Sequence, residues 1–171
     1  MTSMTPDTFA ELFTREGLRP FQPRPGAEGF MPMLEVHTAT EIVVFALALE
    51  NFNDGPTRFG YMGALGHHCA GIGPVAAIRF GSEAWMRSFR EDEWEARGNR
   101  RVDSYDDKTE HVVVFGEMAD GPRYVAHAPL HRRPTGAVSH LGEWQVVSGT
   151  QHRSPLLEAF WEGYHQAQAT A

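Results

Sequence analysis

The chain has 171 residues, 42% apolar and 22% charged, with a formal net charge of −7. That balance fits one folded domain over residues 1–171 and excludes a disordered chain, while the acidic excess disfavours nucleic acid and anionic membrane as partners. No apolar run approaches the roughly 20 residues of a membrane span, the N-terminal segment lacks the basic and apolar regions of a signal peptide, and the single cysteine, Cys69, excludes an internal disulfide. Together these point to a cytoplasmic protein.

Thr5, Pro6 and Asp7 spell a helix start: a hydroxyl N-cap, a proline in the first turn and an acid facing the positive helix end. Phe9, Leu12 and Phe13 share one stripe, and Gly17 before Leu18 reads as a left-handed C-cap. Over residues 19–32, Pro20, Pro23, Pro25 and Pro32 deny backbone donors, which predicts an irregular connector laid on the surface. Met33 to His37 and Glu41 to Leu49 predict a hairpin, although periodicity alone also allows a helix for the second run. Asn51 to Pro56 is turn chemistry.

Thr57 to Gly71 places Phe59, Met62, Leu65 and Cys69 at near-helical spacing. Gly60, Gly63, Gly66 and Gly71 in that helix imply either close packing against the sheet or a loose structure. Pro74 to Phe80 is apolar on both faces, as in a central strand, and Gly81 is expected to end it with a turn or bulge. Residues 87–110 form a charged excursion, either fully exposed or a loop with a short helix. Val112 to Met118 and Arg123 to His131 flank Asp120-Gly121 and give the clearest hairpin, and a last strand is expected near Leu141 to Val147. Ser154-Pro155 starts a final helix whose face carries Leu156, Leu157, Phe160, Trp161 and Tyr164.

The predicted fold is α+β, a mainly antiparallel sheet of five or six strands with helices packed on it, in the order α-β-β-α-β-β-β-β-α. In element order this resembles the profilin or roadblock type of domain and, more loosely, PAS-type sensors.

The residue inventory removes most mechanisms. Lys108, the sole lysine, follows no glycine-rich loop, so a P-loop is excluded. One cysteine excludes zinc ribbons and Cys-x-x-Cys centres, and the nucleophile elbow, His-Glu-x-x-His and dinucleotide fingerprints are missing. His67, His68 and Cys69 are adjacent, which on a helix sends them about 100° apart, and His127 and His131 stand about 13 Å apart on one strand face, so no metal is expected. Cys69 with His67 or His68 is a candidate nucleophile and base, more simply a core residue with surface histidines. Ser82 and Glu83, beside Trp85, are the other catalytic candidates, with a capping role as the plainer alternative.

Trp85, Trp94, Tyr124 and Trp144 are candidate interface anchors, since Trp and Tyr dominate binding hot spots. The sequence thus favours a non-catalytic protein-interaction or self-association domain, possible as a homodimer and needing no cofactor. The alternatives are a small hydrolase or transferase using Glu83 with a histidine, and a sensory domain holding a small ligand.

Overall fold

The computed structural model describes residues 4–48, 50, 54–149 and 153–170. They form a single α+β domain around an antiparallel sheet ordered β2-β1-β3-β4-β5-β6, with β7 also pairing β5. The strands are β1 (Met33–Thr38), β2 (Ile42–Ala46), β3 (Val75–Met86), β4 (Thr109–Met118), β5 (Arg123–Arg132), β6 (Val138–Leu141) and β7 (Gln145–Ser148). The helices are α1 (Pro6–Glu11), α2 (Gly55–Cys69), α3 (Glu91–Ala96) and α4 (Pro155–Thr170). Residues 51–53 of the expected turn and Leu49 of the second expected strand lie outside the described residues. No helix among the described residues is long and apolar enough to cross a membrane.

α1 starts as its sequence dictates. Thr5 and Thr8 form a reciprocal capping box, each hydroxyl accepting the other's backbone N–H. It stops at Glu11, short of the expected length. Gly17 is not a left-handed cap, because its φ is not positive; a side chain there would overlap the Glu11 carbonyl and the Leu12 backbone. The glycine is needed for a close chain crossing. The connector is corrected too: Arg19–Phe21 forms a 3₁₀ turn, and Phe21 and Phe30 are buried. Aromatic burial outweighs the prolines' preference for an open path.

Two cores sit on opposite faces of the sheet. On the helical face, α2 and α4 cover Leu34, Val36, Ile78 and Phe80 with Met62, Cys69, Leu157, Phe160, Trp161 and Tyr164. On the other face, α1 and the connector lay Phe9, Phe13, Leu18, Phe21 and Phe30 over Ala77, Val112, Val114, Ala126 and Leu130. Val75 N donates to the Tyr164 hydroxyl at 2.9 Å, which ties α4 to the start of β3.

β3 continues through Gly81 to Met86, where the sequence suggests a turn. Gly81 is a mid-strand position where a Cβ would strike the Phe21 ring, so it admits the connector and does not bend the strand. The last strand is divided into β6 and β7 around residues 142–144, and both halves pair with β5. Three residues separate Leu141 from Gln145 while two separate their partners Leu130 and His127, which is a bulge of one residue.

Gly63 and Gly66 of α2 pack against α4, not the sheet. A Cβ on Gly66 would collide with the Phe160 carbonyl, and one on Gly163 with the Gly63 carbonyl. Gly66→Ala should therefore destabilise the domain by about 1–3 kcal/mol through overpacking. Gly60, which has open space around its Cβ direction, should instead gain up to about 1 kcal/mol on replacement by alanine. Urea melts of the two variants check this sign reversal.

The other face depends on Arg79, buried with Glu35 and His37. Its Nε donates to Glu35 at 2.9 Å and its Nη1 to the carbonyls of Leu12 and Gly17 at 2.6 and 2.7 Å. Arg79→Leu should cost about 3–5 kcal/mol, since it strands the Glu35 carboxylate, and Arg79→Leu with Glu35→Gln should recover part of that loss. Equilibrium unfolding of the single and double variants measures both.

Candidate interaction edge and surrounding clusters

Among the described residues β2 is the last strand on its side of the sheet. Thr38 N donates to the Glu41 carbonyl and Leu47 N to the Pro32 carbonyl, at 2.9 and 2.8 Å. With the register Val36↔Val43 and Leu34↔Phe45, antiparallel alternation makes the odd-numbered residues of β2 face β1 with their backbone groups. The N–H and C=O groups of Ile42, Val44 and Ala46 therefore point out of the sheet.

Side chains reinforce this. Val43 and Phe45 lie half-buried toward the helical face, whereas Ile42 and Val44 are 56% and 53% exposed on the other, with Met31 exposed just before β1. The strand Ile42–Ala46 contains no charge, proline or glycine, the devices that ordinarily blunt an edge.

The catalytic candidates are dispersed by the fold. On α2, His67 and His68 are exposed and Cys69 is fully buried, and burial pushes its thiol up to about 11. Ser82 and Glu83 alternate across β3, so they occupy opposite faces. Glu83 accepts from Phe30 N at 2.6 Å and lies 3.1 Å from Arg132 Nη2. Burial raises its carboxyl above the ordinary range, against the opposing pull of that N–H and of Arg132. Arg132 also donates to Glu110 and to the carbonyls of Glu28 and Gly136. Glu83 is thus part of a clamp fastening the connector to the sheet.

The anchor candidates divide as well. Trp85 and Trp94 are exposed, under Lys108 and Arg97 respectively, with Arg97 3.7 Å from the Trp94 ring centre. Trp94 also packs on Phe89, within an excursion whose Arg87 lies over Phe89 and Tyr105. Tyr124 is half-buried and stacked on Phe13. Trp144 is half-buried beside an open cleft of about 630 Å³ shared with Phe13, Arg15, Pro23, His140 and Glu143.

The structure adds a histidine cluster that single-strand spacing missed. His111 on β4 and His127 on β5 approach to 3.3 Å between Nδ1 atoms, and His131 stacks on His140 of β6 with ring centres 4.4 Å apart. Hairpin register was the signal that would have found it: Val113 opposes His127, which brings His111 diagonally alongside. Among the described residues no group of three His, Cys, Asp or Glu side chains is arranged to hold a metal ion.

Burial lowers both His111 and His127, and His111 is lowered further by its histidine neighbours. The unfolded chain therefore takes up these protons first, so their contribution to stability is complete above the ordinary histidine value of about 6.5 and is lost as pH falls below it. The melting temperature should drop between about pH 7 and pH 5, and the drop should be smaller in His127→Gln. Thermal melts across that range test it.

Comparison with protein-family models, with curated proteins and with solved structures returns no match.

Proposed function

We propose that this domain is a non-catalytic protein-interaction module that binds by strand addition at the free edge of β2. The observation that carries this reading is the outward row of backbone groups at Ile42, Val44 and Ala46, in a strand with exposed apolar side chains and no charge of its own. An added strand satisfies the backbone groups, which gives affinity, and its side chains pack beside Ile42 and Val44, which gives selectivity. The dispersal of Ser82, Glu83, His67, His68 and Cys69 supports the non-catalytic part.

Val44→Pro is the informative variant. Its amide faces away from β1, so proline removes a donor the fold does not use, and edge strands tolerate proline at such positions. A short synthetic peptide of alternating valine and threonine, with lysines at its ends, serves as a strand probe. The wild-type domain should bind it by fluorescence anisotropy, while Val44→Pro and Val44→Lys should lose binding with the far-UV circular dichroism spectrum retained. Binding unchanged in both variants would remove the edge as the site.

The cleft beside Trp144 favours a second reading, a domain that holds a small ligand between the N-terminal segment and the β6–β7 bulge. A small molecule retained through purification and displaced by Trp144→Ala, detected by native mass spectrometry, would establish it.

A further inference from the structure

We infer that the occupant of the β2 edge is a second copy of this chain, paired antiparallel about a two-fold axis through Val44. The inference rests on the strand-addition reading and names its partner.

The backbone pattern selects this register. A hydrogen-bonded antiparallel pair needs both residues to offer outward N–H and C=O groups, which on β2 are those of Ile42, Val44 and Ala46. With the axis at Val44, Val44 faces its own copy and Ile42 faces the partner's Ala46, so every outward group in the strand is satisfied. An axis at Val43 pairs Thr40, in the turn, with Ala46, and an axis at Phe45 pairs Ile42 with Ala48, beyond the strand end. Both leave part of the edge unpaired.

Side chains agree with the same axis. On the exposed face, Ile42, Val44 and Ala46 of the two copies form one apolar row, which removes the two most exposed aliphatic side chains of the strand from water. On the helical face, Val43 and Phe45 meet the partner's Phe45 and Val43. The nearest charge, Glu41, comes opposite Leu47, so no like charges are set face to face. A two-fold contact also closes on itself, whereas pairing β2 with the opposite edge would propagate into filaments. That opposite edge is short and broken by the bulge at residues 142–144. A contact along one five-residue strand is short, and small interfaces are typically weak and transient, so the dimer should be reversible and concentration-dependent.

Variants of the full chain that each add one cysteine test the register. Val44→Cys places its own copies in a hydrogen-bonded pair, with Cα atoms about 5.5 Å apart and inside the 4.4–6.8 Å window of disulfides. Ile42→Cys alone holds its copies about 13 Å apart along the strand, as does Ala46→Cys alone. Cys69 is fully buried and stays silent. Under mild oxidation Val44→Cys should give a covalent dimer in yields about tenfold above Ile42→Cys or Ala46→Cys alone, whereas an equal mixture of those two should cross-link. Light scattering of the wild type should show mass rising toward two chains with concentration, and Val44→Lys should remain at one.

Cross-linking of Ile42→Cys alone as efficient as that of Val44→Cys overturns the register. Failure of every variant and of the mixture to cross-link, with a single-chain mass at high concentration, overturns the second copy as partner. If the strand probe still binds the wild type in that case and not Val44→Pro, the edge docks another protein and only the two-fold inference falls. Loss of probe binding as well removes both.

Discussion

One buried guanidinium decides how this sheet is covered. Arg79 sits mid-strand on β3 among aromatic side chains, its charge answered by Glu35 on β1, its remaining donors by two carbonyls of the N-terminal segment, and its face by the Phe21 ring at 4.9 Å. Burial opposes both charges. For Glu35 the neighbouring His37 and the Arg79 guanidinium outweigh it, and its carboxyl is held below the ordinary range. The pair is sustained because the chain crossing at Gly17 brings the Leu12 and Gly17 carbonyls to the same guanidinium. A buried ion pair of this kind contributes little net stability but penalises alternatives heavily. Its consequence is positional: the N-terminal segment is pinned over β1 and β3 and stops before β2. Ile42 and Val44, which share the face of His37 and Glu35 through the β1–β2 register, are left in water.

The helical face is set by a different constraint, the close approach of α2 and α4. Gly63, Gly66 and Gly163 let one backbone lie against the other, which draws the helix pair together and concentrates Met62, Phe160 and Trp161 over β1 and β3. Phe45 is reached only at the rim, where it meets His68 edge-on. Two covers, fixed independently, thus converge on the centre of the sheet and leave the same strand at the margin.

Much of this architecture was legible in the sequence because local chemistry and long-range packing agree there. The Asp120-Gly121 hairpin, the capped start at Thr5 and the amphipathic final helix all emerged with the right type and approximate bounds. Legibility failed where a distant contact overrides a local preference. Phe21 and Phe30 bury a proline-rich stretch, and Gly81 and Gly17 serve close approach between chain segments instead of turning. The β2 edge was half legible. Its β-branched composition was plain, but an edge is defined by which strands fail to pair with it, and that is a property of topology. The Glu83 clamp was opaque for the same reason, since Arg132 and Phe30 are remote in sequence.

An uncharged edge on an acidic domain demands a reason why it does not drive indiscriminate aggregation. The net charge of −7 makes two chains repel at long range, while the strand Ile42–Ala46 itself carries no charge, so only an approach that brings apolar edges into register offsets that repulsion. The opposite edge is a poor acceptor because its two short strands are displaced by the bulge at residues 142–144. In the proposed dimer, repulsion between the bodies and attraction between the edges therefore act over different distances. Salt screens the first within about 10 Å at 0.1 M and scarcely touches the second. Association through β2 should tighten as ionic strength rises, the opposite of an interface held by ion pairs, and light scattering across a salt series distinguishes the two.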